Sequence, residues 1–171
     1  VMQVAVPEAM CDPDQHEQVN GIINTELKKY AVIGAGPGIG TGYETAQLLE
    51  GIFASYQRPM VLDADALNLM AERNFHDLIP KGSIVTPHPK EFERLFGECK
   101  NDFERIERAL ENAKLLNCSI VLKGHHTIIA TPGGKVYLNN TGNVGMAKGG
   151  SGDVLTGILT SLICQNYNPV E

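Results

Sequence analysis

Between Asn139 and Gln165 the chain reads NNTGNVGMAKGGSGDVLTGILTSLICQ, its densest run of residues able to do chemistry. Gly149, Gly150, Ser151 and Gly152 are nearly free of side chains, so their backbone N–H groups can approach a ligand closely. Val154, Leu155, Ile158, Leu159, Leu162 and Ile163 then recur at helical spacing and predict a helix with one buried face. The first N–H groups of a helix lack partners inside it and lie at the positive end of the macrodipole. A glycine loop running into a helix start is therefore an anion site, suited to phosphate or to a developing oxyanion. Asp153 sits at the seam. A carboxylate there repels an anionic ligand unless it has work to do. The work that fits is that of a general base, taking the proton from a hydroxyl that attacks a bound terminal phosphate. The plainer reading is that Ser151 or Asp153 only caps the helix. The glycines favour the catalyst, because a cap needs one special residue and not a run of them.

Other stretches place polar residues where strands end. Tyr30–Ile33 predicts a buried strand, and GAGPGIGTG, Gly34 to Gly42, follows it. This spacing is neither the dinucleotide fingerprint nor a P-loop, since no Gly-Lys-Ser/Thr follows. It is a loop at the carboxyl end of a strand, where open α/β sheets bind ligands. A helix over Thr45–Tyr56 is predicted to bury Leu49, Ile52, Phe53 and Tyr56. The strand Met60–Asp63 ends in VLDADALN. There Asp63 and Asp65 could bind a metal or a ribose, or Asp65 could cap a helix over Ala66–Arg73 and brace the loop, with Asn68 a lesser polar candidate.

The next strand, Ser83–Thr86, exits through Pro87-His88-Pro89, whose prolines fix the backbone so that the His88 ring can be aimed. Glu91 lies in the first turn of a helix over Lys90–Phe96. An amphipathic helix over Asp102–Asn117 is predicted to bury Phe103, Ile106, Leu110 and Ala113 and to solvate Glu104, Arg105, Glu107 and Arg108. The fourth strand, Ser119–Lys123, leads into Lys123-Gly124-His125-His126-Thr127. The Lys can supply charge, and the Gly a backbone donor, to a nucleotide phosphate. In an extended chain the adjacent His125 and His126 point to opposite faces and make a poor metal pair. Thr127–Thr131 and Val136–Leu138 flank Pro132-Gly133-Gly134-Lys135 as a β-hairpin. Its second strand delivers Asn139, Asn140, Thr141 and Asn143 to the central loop. Strands alternating with helices predict an α/β fold with a mostly parallel sheet covered on both faces.

NTGNVGMAKGGSGDVLTGIL resembles the signature of the ribokinase-like superfamily, and within it the ADP- or ATP-dependent NAD(P)H-hydrate dehydratases. VIGAGPGIGTG, VLDADALN, and VTPHPKEFERLFG followed by VLKGHHT agree with that family, in its order. The resemblance implies a ribokinase-like three-layer α/β/α fold, incomplete at the N-terminus. The family's domains carry further βα units ahead of the stretch matching Pro7–Met10 and continue past Gln165, so residues 1–171 are expected to be a single partial domain. The implied reaction is dehydration of NADH- or NADPH-hydrate back to NAD(P)H, with ADP or ATP as phosphoryl donor, Mg²⁺ as cofactor and Asp153 as base. The hydrated nicotinamide would lie against Gly38, Gly40, His88 and Asp153. The nucleotide would lie against Lys123, Gly124, His125, His126, Thr127, Asn143, Gly149, Gly150, Ser151 and Gly152. Glu91 would hold the metal through water. A homo-oligomer, a tetramer in many members, and a cytoplasmic location are implied as well. The sequence departs from the family pattern at Val144, where Pro is usual, at Lys148, where a small residue or Thr is common, and mildly at Ser151, where Thr is frequent. Two other readings use the same residues: a small-molecule alcohol kinase of the same superfamily, and a nucleotide-binding module without turnover.

Composition agrees with a folded catalytic domain. The 171 residues are 43% hydrophobic and 20% charged, enough apolar content for one core. The net charge of −6, with no basic run, argues against nucleic acid or an anionic membrane as a partner. No basic segment followed by a long apolar core opens the chain, so no signal peptide is read there. Cys11, Cys99, Cys118 and Cys164 are widely spaced and read as free thiols. His16 reads as a surface residue, and Gln15–Leu27 as partly helical.

Overall fold

Short apolar runs closed by Gly or Pro become strands, and the longer periodic segments between them become helices. A computed structural model describes residues 2–12 and 26–169. His16 and most of the segment Gln15–Leu27 lie outside the described residues; Leu27–Lys29 forms a 3₁₀ turn. The strands are β1 (Ile33–Ala35), β2 (Met60–Leu62), β3 (Ile84–Val85), β4 (Ser119–Leu122), β5 (Thr127–Ala130) and β6 (Val136–Asn139). The helices are α1 (Met2–Ala5), α2 (Tyr43–Ser55), α3 (Ala64–Arg73), α4 (Pro89–Phe96), α5 (Asp102–Leu116) and α6 (Ser151–Cys164).

The strands form one sheet in chain order, β1 to β6. β1 to β4 run parallel, while β4, β5 and β6 pair antiparallel through the hairpin expected around Pro132–Lys135. Right-handed crossovers between strands added in one direction put all their connecting helices on one face. That face carries α2 to α5, and α6 covers the other. The pleat of β1 shows the division. A Cβ on Gly34 would point at α6, 2.5 Å from Thr160 Oγ1, whereas Ile33 and Ala35 on either side turn the opposite way and pack on the core.

The core lies between the sheet and α2, α3, α4 and α5. Leu49, Phe53, Tyr56, Met60, Leu62, Leu67, Met70, Phe92 and Ile120 are buried in it. Leu49, Ile52, Phe53 and Tyr56 are buried as their spacing predicts. The first strand sits two or more residues beyond its predicted place, because the ladder pairs Ile33 with Met60 and leaves Tyr30 outside it. The Tyr30 carbonyl instead accepts from Tyr56 Oη at 3.2 Å and from Arg58 at 3.0 Å.

Two predicted faces are corrected. In α5, Phe103 is 82% exposed, and the face on β4 and β5 is built from Ala109, Ala113 and Leu116. Small side chains there let the helix lie close to the sheet. Arg105 and Arg108 are not free surface charges either. Arg105 bridges Asp102 at 2.6 Å and Glu93 at 3.5 Å, and Arg108 donates to the carbonyls of Phe96 and Glu98, tying α5 to the end of α4. In α6, Val154 (62%) and Ile158 (52%) are exposed, and Thr156 is the buried residue. The narrow approach past Gly34 admits threonine and glycine but not a row of branched aliphatics.

The loop after β1 passes against the end of β2. Gly36 has φ +133°, and a Cβ there would collide with the Asp63 carbonyl oxygen. Gly36→Ala should therefore cost at least about 1–3 kcal/mol in urea unfolding; wild-type stability would show that this close approach is absent. Cys118 is buried at the start of β4, and desolvation pushes its thiol up to about 12. A disulfide-exchange reagent at mildly alkaline pH should label the exposed Cys11 and Cys164 in the native protein and Cys118 only after unfolding.

Candidate active site

Asp153 lies in the first turn of α6, and what precedes it shows whether it caps the helix. The N-cap is Gly150, with φ 87° in the left-handed region that glycine adopts without cost, and among the described residues no side chain caps the helix. Ser151 Oγ donates backward to the Lys148 carbonyl at 2.9 Å. Neither Ser151 nor Asp153 is a cap. The helix N-terminus is left to its backbone N–H groups, and the exposed Asp153 carboxylate stands beside it. Asp153, Thr156, Gly157 and Thr160 line a cavity of about 580 Å³, closed on the other side by Gly34, Gly36, Pro37, Leu48 and Ile52. The Asp153 carboxylate thus faces an open cavity at the exit of β1, which Asp12 also lines, with the glycine-rich start of α6 beside it.

The two acids of VLDADALN separate in function. Asp63 is the N-cap position of α3, yet its side chain does not cap. It is 1% exposed; Oδ1 accepts from Lys123 Nζ at 2.5 Å and Oδ2 from Thr156 Oγ1 at 3.0 Å. Ala64, at φ 49°, turns the chain sharply, and Asp65 emerges on the other side. Its carboxylate accepts from Gly40 N at 2.9 Å. The expectation that Asp65 caps a helix from Ala66 is corrected: the helix starts at Ala64 and Asp65 braces the glycine loop. Gly38 (φ 67°) and Gly40 (φ 78°) sit in that loop with open space where a Cβ would be. Asn68 accepts from Arg94 at 2.7 Å.

His88 is the N-cap of α4, held in a reciprocal capping box with Glu91. His88 Nδ1 accepts from the backbone N–H of Lys90 at 3.1 Å and of Glu91 at 3.3 Å. Accepting at Nδ1 leaves the proton of the neutral ring on Nε2, which lies 3.2 Å from Glu91 Oε1. Glu91 Oε2 accepts from His88 N at 2.8 Å and stands 4.0 Å from Lys123 Nζ. The sequence reading saw a prolyl-held His and a first-turn acid; the structure makes them one unit, buried at Glu91 and half exposed at His88. Among the described residues no group of three His, Cys, Asp or Glu side chains could hold a metal ion.

The segments expected to meet nucleotide come together. A Cβ on Gly142 would collide with the His125 carbonyl, so the central loop passes directly over the Lys123–Thr127 turn. Thr127 Oγ1 donates to the Gly124 carbonyl at 3.1 Å. Asn143 accepts from Gly145 N at 2.8 Å and caps a 3₁₀ turn over Val144–Met146. Gly152 sits on the ion pair: its Cβ would be 3.3 Å from Asp63 Oδ2 and 3.6 Å from Lys123 Nζ. The two histidines are corrected. Their rings meet edge to face at 4.5 Å between centroids, with His125 Nδ1 3.4 Å from His126 Nε2, because the chain turns there and is not extended.

Sequence reasoning missed Thr156 and undervalued Asp63. Thr156 was hidden among the aliphatics of its helix. Asp63 ends a strand of fully buried residues, and that position was a legible signal that its carboxylate would be buried too.

The chain is similar to known proteins over most of its length. The model of the NAD(P)H-hydrate dehydratase family matches residues 1–171. The chain is 40% identical over 145 residues to the ADP-dependent (S)-NAD(P)H-hydrate dehydratase of Bacillus subtilis, covering 82% of this chain and 50% of that one. A ribokinase-like superfamily protein from Enterococcus faecalis superposes with TM-score 0.71 at 30% identity, over 81% of this chain and 49% of that one. The Bacillus subtilis ADP/ATP-dependent NAD(P)H-hydrate dehydratase, co-crystallised with ATP/Mg²⁺ and soaked with CoA, superposes with TM-score 0.65 at 34% identity, over 82% and 52%. The chain spans between about a third and a half of the length of such curated relatives. With its parallel sheet, its glycine-capped α6 and the Asp153 that follows, the chain belongs to the NAD(P)H-hydrate dehydratase family and has the ribokinase-like fold.

Proposed function

We propose that this chain supplies the reaction centre of a nucleotide-dependent NAD(P)H-hydrate dehydratase, a repair enzyme that returns hydrated NADH or NADPH to the working cofactor. The observation that carries this reading is Asp153: an uncommitted carboxylate beside an uncapped, glycine-built helix N-terminus, facing a cavity. Direct loss of hydroxide from the hydrated ring is slow, because hydroxide is a poor leaving group. Phosphorylation removes that obstacle. Asp153 takes the proton of the substrate hydroxyl, and the oxygen attacks the terminal phosphorus of ADP or ATP, releasing AMP or ADP. The backbone N–H groups of the Gly149–Gly152 loop stabilise the charge that builds on the phosphoryl oxygens. The ring nitrogen then pushes out the phosphate ester as the C–O bond breaks, and loss of a proton from the adjacent carbon restores the dihydronicotinamide.

The donor set fits a Mg²⁺ ion that arrives with the nucleotide better than one caged by protein. Mg²⁺ keeps several waters and takes phosphate oxygens plus one or two carboxylates. Glu91, engaged by His88 and near Lys123, would reach through water such an ion, which helps neutralise the phosphates. Gly38, Gly40 and His88 are assigned to the hydrated nicotinamide. Lys123 to Thr127, Asn143 and Gly149 to Gly152 are assigned to the nucleotide. For Lys123 that assignment competes with its ion pair to Asp63.

The full-length protein should restore the dihydronicotinamide absorbance of hydrated NADH when given Mg²⁺ and ADP or ATP, and the nucleotide that supports recovery identifies the donor. Asp153→Asn should lower kcat by about 10²–10⁴-fold while leaving nucleotide affinity nearly unchanged. Full activity in that variant would remove Asp153 as the base. A stable phosphate ester on a simple alcohol, with no absorbance recovery, would instead favour an alcohol kinase.

A further inference from the structure

A buried carboxylate bonded on both oxygens lies under the proposed reaction centre. Asp63 closes β2 with its carboxylate buried, and each oxygen holds a different element. Oδ1 takes the ammonium of Lys123, at the exit of β4. Oδ2 takes the hydroxyl of Thr156, one helical turn after Asp153 on the same side of α6. Thr156 is the fully buried residue of that helix, and its neighbours on the sheet side make room for it. Gly34 leaves space for Thr160, and a Cβ on Gly152 would lie 3.3 Å from Asp63 Oδ2 and 3.6 Å from Lys123 Nζ. Thr160 Oγ1 donates to the Thr156 carbonyl at 2.7 Å and so spends its own hydroxyl within the helix. The outer aliphatics of α6, Val154 and Ile158, are more than half exposed.

Apolar burial therefore leaves the start of α6 loosely determined along its axis, whereas a single hydrogen bond to a fixed carboxylate determines it well. We propose that Asp63, charged and held in place by Lys123, is a positioning residue that sets the site of Asp153 through Thr156. The proposal rests on the reading of Asp153 as the base, and it gives Lys123 the work of a counter-ion. Lys123 neutralises Asp63 and, at 4.0 Å, Glu91, so that two buried carboxylates can stand below an anion site. The mechanical link is short. Asp63 to Thr156 is one hydrogen bond, and Thr156 to Asp153 is one turn of helix, so an error at Oδ2 reaches the base almost undiminished.

The test uses Thr156→Val, which keeps the shape and removes the donor, and Thr156→Ser, which keeps the donor, both in the full-length protein. A displaced base costs rate more than binding. Thr156→Val should thus lower kcat by about tenfold to a hundredfold, with nucleotide KM within about twofold of wild type. Thr156→Ser should recover most of that kcat although it loses a buried methyl group, which a purely structural role would not allow. Amide hydrogen exchange supplies a reading independent of the reaction: residues 151–156 should exchange faster in Thr156→Val than in Thr156→Ser, with α2 unchanged. Equal kcat for wild type and Thr156→Val, or a rate that tracks only the melting temperature across both variants, would overturn the proposal. If the wild-type protein does not act on hydrated NADH at all, the dehydratase reading falls and exchange alone decides. Unchanged protection of 151–156 in Thr156→Val then overturns the positioning role, and a local loss confined to them sustains it.

Discussion

The buried carboxylate of Asp63 is the constraint on which the rest of this structure depends. Burying an ionised group is costly unless it is paired and hydrogen-bonded, and removing one partner of such a pair costs about 3–5 kcal/mol. Asp63 meets that requirement with Lys123 on one oxygen and Thr156 on the other. Satisfying it fixes the relation of three elements distant in sequence: the ends of β2 and β4, and the start of α6. The same pair extends to Glu91 and, through the capping box, to His88 at the exit of β3. The carboxyl ends of three adjacent parallel strands are thus joined by one chain of charge and hydrogen bonding.

Topology explains why that chain is needed. With β1 to β4 added in one direction, right-handed connections place α2 to α5 together on one face, where they build the apolar core. The other face is left to α6, which arrives after the antiparallel hairpin. It meets the sheet through Gly34, Thr156 and Thr160, a surface of small and hydroxylated residues. Such a surface permits a close approach and supplies little hydrophobic stabilisation, since that scales with apolar area removed from water. Polar contacts then decide where the helix sits.

The glycine loops follow from the same closeness. Gly36 is required because the β1 exit runs against the backbone of Asp63, and Gly142 because the central loop crosses the backbone of His125. Gly38 and Gly40 differ: they have left-handed φ and open space beside them, with Asp65 holding the Gly40 N–H. Tight glycines serve packing, and two of them, Gly34 and Gly36, also line the cavity beside Asp153, whereas Gly38 and Gly40 have nothing within 4 Å of an added Cβ. Within the VLDADALN stretch the left-handed turn at Ala64 performs the division, sending Asp63 inward to the helix and Asp65 outward to the loop.

The sequence by itself determined what is local. Strand and helix order, the hairpin at Pro132–Lys135, the buried face of α2 and the glycine-Asp start of α6 were legible, because period, turn chemistry and helix-end physics act over a few residues. The mostly parallel sheet followed from the alternation of those elements. The family motifs were legible for the same reason, being short runs with fixed spacing. Only the tertiary structure decided which face of α6 is inward, that Phe103 stays outside, that His125 and His126 meet, and that His88 and Glu91 cap one another. Above all, it decided that Asp63, Lys123 and Thr156 share one buried site. Nothing in the amphipathic pattern of α6 could reveal this. Its aliphatic spacing predicts burial, but burial depends on what lies opposite, and opposite the sheet-facing side lie a glycine and a carboxylate.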